Sequence, residues 1–399
     1  MAAACVHAPG DTFAAALSAK RSSVSLFLAS NHPDGVPSVA VERPRTIWID
    51  LKAVHSIRAL PDAVGDIHKR IIVEQYRFSW PVVRAHADHE IPAIIGALNT
   101  VTSGHNFTAP ELACCSGRFK GQIAVDQLAW LSHLSEELDA VRIQILAAHA
   151  ELTFDAILAL HASIEALWTK SLSRGREHEV MTAVSSMATA LQVPITYHLR
   201  KITWLVEGFR AFRAFGDSKT LSTWRGFELE ITRLPPQHVI FAPSSHDPYL
   251  LSQVRSVYTD DYELSPAYDR DLPVIHQSFK ADFPSTGIVV AHPECTILHF
   301  SHDNIDDMFY IGQSELSCLA CNDLLKAHNA CSSGCKKAFV RGSHGLTFKS
   351  WAPPVLACQP EDEALDPLRK QLCISLRIRL EQALIAYRVR LSHMHVTVQ

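Results

Sequence analysis

Gly287-Ile288-Val289-Val290-Ala291-His292-Pro293-Glu294 and, further along, Ser317-Cys318-Leu319-Ala320-Cys321 are the two stretches on which the fold reading turns. Gly287 to Val290 is a short apolar run entered from the turn-prone Pro284-Ser285-Thr286, which predicts a buried strand. Proline fits the first turn of a helix, where its missing N–H leaves no bond unmade. The strand is therefore expected to hand over to a helix beside His292 that runs on through residues 295–300. Residues 308–311 read as a second strand, residues 318–326 as a second helix and residues 337–340 as a third strand. The amphipathic, Leu- and Arg-rich residues 367–391 read as a last helix. Strand and helix alternate three times, which predicts a three-layer α/β arrangement with a mixed sheet.

Working outward toward the N-terminus, the character changes at Pro235-Pro236. Upstream, residues 123–229 read as helix after helix. Leu128, Leu131, Leu134 and Leu138 recur at three- and four-residue steps, as do Ile143, Leu146, Leu152, Ile157, Leu160, Ile164 and Leu167, the spacing of one face of a long helix or helical hairpin. Gly175, after Lys170 and Arg174, reads as a helix stop. Residues 177–191 form a further helical stretch closed by Pro194. In residues 197–215, Trp204, Leu205, Phe209, Phe212 and Phe215 read as packing between helices rather than a ligand box. Residues 30–65 hold several prolines and the short run Arg45-Thr46-Ile47-Trp48-Ile49, and are expected to be irregular; residues 1–28 read as a loose start to the folded chain. The expected organisation is a mostly α-helical domain over residues 1–235 followed by an α/β domain over residues 236–399.

The two strand-to-helix junctions carry the chemistry. Open α/β sheets build their ligand sites at the carboxyl ends of strands, where both junctions fall. A catalytic zinc needs three protein ligands and one open position, and one His with two thiolates is a known set. Two cysteines in a C-x-x-C at a helix start can face one metal, and the helix dipole favours their thiolate forms. Glu294, two residues from His292, cannot easily share its direction and suits proton transfer at the open position.

His292-Pro293-Glu294 with Cys318-x-x-Cys321, in that order and on that alternation, resembles the cytidine-deaminase-like superfamily. The string Tyr310-Ile311-Gly312-Gln313-Ser314-Glu315-Leu316-Ser317-Cys318-Leu319-Ala320-Cys321 is similar to a set of deaminases expanded in fungi. So is the downstream Arg341-Gly342-Ser343-His344-Gly345, with Trp351 and Pro353-Pro354. That set pairs an N-terminal helical region with a C-terminal deaminase domain, and the likeness covers roughly residues 270–355 at motif level. It implies a deaminase-like α/β/α fold, a Zn2+ held by His292, Cys318 and Cys321, and Glu294 as catalytic general acid/base. It further implies hydrolytic deamination of a nucleobase in a nucleotide or a single-stranded nucleic acid. Arg341, Ser343 and His344 would line the substrate pocket or its rim. Ser317 stands where that family usually has proline, and Pro293 where it usually has alanine.

Other readings stay open beside this one. Cys318, Cys321, Cys331 and Cys335 could form a closed four-thiolate knuckle if the second helix broke early, which would make the chain a non-catalytic interaction protein with a structural zinc. His299, His302, Asp303, Asp306 and Asp307 could hold a second metal, although a solvated loop suits them better. Cys295 reads as core packing or a bystander thiol, and Cys114-Cys115 matches no pattern.

Composition sets the remaining bounds. The 399 residues are 47% hydrophobic and 20% charged, values of a folded globular chain. A net charge of -4 gives no global basic field, and no Lys/Arg cluster marks a nucleic-acid groove. No uninterrupted apolar run of about 18 residues predicts a membrane span. Ten cysteines without a secretory leader point to reduced thiols and an intracellular site, cytoplasm or nucleus. The long C-terminal helix would suit a homo-oligomer. No phosphate loop, dinucleotide fingerprint, nucleophile elbow or H-E-x-x-H competes with the zinc reading.

Overall fold

The computed structural model describes residues 1–19, 22–103, 125–148, 153–172, 195–241, 287–304, 309–331, 337–341 and 343. The chain forms two compact units. The helical stretch expected over residues 177–191, the helix expected over residues 367–391, and Cys114, Cys115, Cys335, Asp306, Asp307 and His344 lie outside the described residues.

One unit is helical: α1 (Ser38–Ser56), α2 (Pro61–Phe78), α3 (Trp80–Thr102), α4 (Val125–Ala147), α5 (Phe154–Leu172), α6 (Ile195–Gly216) and the short α7 (Lys219–Trp224). Its helices form because each has an apolar stripe to bury. In α4 the stripe is Leu131, Leu134, Leu138, Val141 and Ile145; in α5 it is Ile157, Leu160, Ile164 and Leu167. The leucine steps read from the sequence thus belong to two separate helices. Ile143 stands off the stripe and is 58% exposed. In α6, Trp204 and Leu205 are buried, and Phe209 stacks on Phe212 at 6.0 Å between centroids. Phe209 also meets His161 edge-on, which is packing between helices as expected.

Residues 30–65 are not irregular. Pro37 is the N-cap of α1 and Pro61 opens α2, both places where proline fits. Pro44 sits inside α1, where a proline costs about 3 kcal/mol. Burial of Val41, Ile47, Trp48, Leu51 and Val54 outweighs that, at about 1.5–3 kcal/mol for each large apolar side chain. Arg43, buried on the same helix, is satisfied by Gln75 Oε1 and Glu74 Oε2, each at 2.9 Å, and by the Ile71 carbonyl at 3.3 Å.

The other unit is α/β. The described strands are β1 (Phe13–Ala19), β2 (Ser23–Ser30), β3 (Glu228–Arg233), β4 (His238–Phe241), β5 (Gly287–Val290), β6 (Phe309–Gln313) and β7 (Ala338–Val340), of which β3 falls mostly in the helical unit. The helices of the α/β unit are α8 (Pro293–Asn304) and α9 (Leu319–Cys331). A five-stranded mixed sheet runs in the order β3-β2-β1-β6-β7. β1 and β6 pair antiparallel with Ala14 opposite Gln313 and Ala16 opposite Ile311. β6 and β7 pair parallel with Phe309 opposite Ala338. β4 and β5 form a separate antiparallel pair, with Val239 opposite Val289. The expected strand at Gly287 is therefore present but lies outside the main sheet.

Residues 1–28 are more than a loose start, since they supply two central strands. Ala14–Ser18 and Leu26–Val36 group with the described residues from Thr232 onward, so the helical elements are inserted within the α/β unit in chain order. The core of this unit takes Ala14, Ala16, Phe27 and Ala29 from β1 and β2, and Phe309, Ile311 and Ala338 from β6 and β7. Ile297, Leu298, Leu324 and Leu325 come from the two helices. Small residues along the strands let the helices come close, and Phe27 meets Phe300 of α8 at 4.9 Å. No helix among the described residues is long and apolar enough to cross a membrane.

Candidate metal centre

Both helices that carry the motif start on the residue that the chemistry needs. His292 precedes α8, and its carbonyl accepts from the N–H of Cys295 at 2.9 Å and of Thr296 at 3.2 Å. Pro293 takes the first helical position, so its missing N–H leaves nothing unpaired. Cys318 precedes α9 and acts as its cap: its Sγ accepts from the N–H of Cys321 at 3.3 Å, while its carbonyl accepts from the Asn322 N–H at 3.0 Å. Ser317, just before the cysteine, is fully buried. Its hydroxyl accepts from Gln313 Nε2 at 2.6 Å, and it forms a parallel bridge with Ser343.

These two helix starts bring His292, Cys318 and Cys321 together. Their ligand atoms all lie within 4.8 Å of one another, and His292 Nδ1 is 3.3 Å from Cys321 Sγ. Both cysteines are buried, at 1% and 0% exposure. Tetrahedral ligands at about 2.3 Å for sulfur and about 2.0 Å for nitrogen lie roughly 3.5–3.8 Å apart around one zinc. The His292–Cys321 separation is close to that spacing, and the one-nitrogen, two-sulfur chemistry of the set is zinc-like.

The electrostatics follow from burial. The hydrogen bond with Cys321, then burial, pushes the Cys318 thiol well above the usual cysteine range. Burial, then the hydrogen bond with Cys295, does the same to Cys321. Burial opposes the charged form of His292. The hydrogen bond with Cys318 and the charge of Glu294 outweigh it and raise the imidazole above its ordinary value. A cation bound by these cysteines would displace their protons.

Glu294 occupies the first turn of α8 and is 7% exposed. It acts electrostatically on both His292 and Cys321. Of the other expected pocket residues, Ser343 is brought beside Ser317, next to Cys318. Arg341 follows β7, exposed, and bears electrostatically on Tyr310. The four-thiolate knuckle loses its premise. α9 runs unbroken from Leu319 to Cys331, and a rise of about 1.5 Å per residue carries position 331 roughly 15 Å from position 321. Sequence reasoning undervalued Cys295, whose Sγ lies 3.5 Å from Cys321 Sγ. Its place one turn from His292 was the available signal.

Residues 291–355 match a family model described as "OTT_1508_deam:-like deaminase". No curated protein and no solved structure matches the chain. The matched residues contain His292, Glu294, Cys318 and Cys321, and the match together with the His/Cys/Cys group supports a deaminase domain with a metal centre.

Proposed function

We propose that the chain is a zinc-dependent hydrolytic deaminase acting on a nucleobase carried by a nucleotide or a single-stranded nucleic acid. One observation carries the reading: the buried Glu294 sits beside a His292, Cys318 and Cys321 group within residues similar to a deaminase family. His292, Cys318 and Cys321 would hold the zinc. When bound, zinc supplies the Lewis acidity that makes water a nucleophile near neutral pH. Glu294 does the proton work. Its carboxylate would carry one proton from the attacking water to the ring nitrogen, and then the second proton from the resulting hydroxyl to the amino group, which leaves as ammonia while oxygen takes its place. Arg341, Ser343 and His344 are assigned to the rim of the pocket, and the bridge between Ser343 and Ser317 supports that placement.

The net charge of -4 and the lack of a basic, aromatic-rich stretch in the C-terminal half favour a nucleotide over a long single strand. Cys5, Cys295, Cys318 and Cys321 carry no disulfide, which suits a reducing compartment, cytoplasm or nucleus. Self-association belongs to the same reading and is measured by sedimentation. The deciding experiment is ammonia release from a panel of cytosine and adenine nucleotides and short single strands. Glu294→Gln should lower turnover by at least about 10²-fold while the zinc content stays at the wild-type level. Turnover retained in that variant would sink the mechanism.

A further inference from the structure

Cys295 follows Glu294 on the first turn of α8 and is 1% exposed. Its backbone N–H donates to the His292 carbonyl, which fixes its place relative to the first ligand. Its Sγ stands 3.5 Å from Cys321 Sγ in a buried setting. Among the described residues, the ligand atoms that all lie within 4.8 Å of one another belong to His292, Cys318 and Cys321, and Cys295 is outside that group. Contact with Cys321 Sγ from outside that group places the Cys295 sulfur beside a candidate ligand rather than within the ligand set. A thiol so placed has one proton to donate, and its neighbour becomes a strong acceptor once it is a thiolate.

We propose that Cys295 is a positioning residue for the metal ligand Cys321, its S–H donating a hydrogen bond to the Cys321 thiolate and orienting that ligand toward the metal. The inference rests on the zinc reading of His292, Cys318 and Cys321. Outer partners of metal ligands fix ligand direction and tune the charge delivered to the metal, and their loss typically lowers metal affinity 10–100-fold. Because S–H is a weak donor, the effect here belongs at the lower end of that range. The free thiol of Cys5, by contrast, donates its S–H to the Met1 carbonyl.

The test uses the full chain with zinc(II) and cobalt(II) as probes. Zinc affinity is measured by competition with a chromophoric chelator for wild type, Cys295→Ala, Cys295→Ser and Cys318→Ala. The thiolate-to-cobalt charge-transfer band is recorded for each cobalt form. The expected result is one zinc in wild type and both Cys295 variants, with affinity about tenfold lower for alanine and largely restored by serine, whose hydroxyl is a donor. The cobalt band should keep the intensity of two thiolates in Cys295→Ala but shift in energy, a change that packing alone would not cause. Should the alanine variant fail to fold, Cys295→Val, which fills the site without a donor, must show the same loss. Unchanged affinity with an unshifted band overturns the proposal, as does a loss that serine does not reverse. A cobalt band reduced by about one thiolate's share in Cys295→Ala would make Cys295 a ligand and also overturns it. Full zinc content in Cys318→Ala would instead overturn the zinc reading itself, whatever the Cys295 variants do.

Discussion

At the scale of residues, the site is a balance between burial and charge. Cys318 and Cys321 are buried thiols whose ionisation burial and sulfur–sulfur contact oppose, and a cation at their shared focus would favour their thiolates. Removing one of them should therefore do more than weaken binding, because a buried, half-built site offers too few donors. We expect one zinc per chain in wild type, none in Cys318→Ala and one in Cys335→Ala, measured by elemental mass spectrometry. Zinc lost with Cys335→Ala would restore the closed knuckle. The motif residues were legible in the sequence because each helix start is specified locally: proline at the first position of one, a side-chain cap at the other. The role of Cys295 was not, because its partner lies 26 positions away and only the packing of α8 near α9 brings the sulfurs to 3.5 Å.

At the scale of elements, hydrogen bonds from single side chains hold pieces that burial alone would leave loose. The short strand β7 is tied to α9 by Asn329, whose Nδ2 donates to the Ala338 carbonyl at 2.7 Å and whose Oδ1 accepts from the Ala338 N–H at 2.8 Å. Asn329→Ala leaves both backbone groups unpaired and should cost about 1–3 kcal/mol, read as a fall in thermal midpoint. Asn329→Asp loses only the donor and should fall between the two. In the helical unit, Glu90 of α3 joins His198 and Lys201 of α6, and His86 of its own helix. Burial would raise its pKa, but hydrogen bonds with His198 and His86 and the charge of Lys201 hold it well below the usual carboxylate range. A depressed pKa contributes stability that is full above about pH 4.3, the unfolded value, and is lost as pH falls toward the folded one. Glu90→Gln should therefore destabilise the chain by about 1.5–3 kcal/mol at pH 7, and by progressively less below about pH 4 in denaturant titrations. A deficit that stays constant with pH would show that the charge is not what matters.

At the scale of the whole molecule, the α/β unit is assembled from separated pieces of chain. Strands β1, β2 and β3 all precede residue 236, yet they make three of the five strands in the main sheet. A fragment spanning residues 236–399 would expose the edge of β6 and strip Ala14, Ala16, Phe27 and Ala29 from the core. We expect that fragment to aggregate and to hold no zinc, whereas the full chain folds and holds one; a zinc-loaded, monomeric fragment would contradict this assembly. The helical elements enter the chain between β2 and β3, and we therefore expect the change of character at Pro235-Pro236 not to begin a fold that stands alone.

The sequence by itself determined what is local: the helix starts at His292 and Cys318, the ligand types, the nearby carboxylate and the apolar stripes of α4 and α5. Each depends on residues a few positions apart, where capping, dipole and periodicity act directly. Tertiary structure decided the rest. It made strands of the alanine-rich β1 and of β2, whose alternating Val24, Leu26 and Leu28 were the only local hint, because pairing and burial on a sheet override weak strand propensity. It made a helix of a proline-bearing segment because its apolar face had a core to enter. It also placed Cys295 beside Cys321, since contacts between elements are set by packing, which no single stretch of sequence contains.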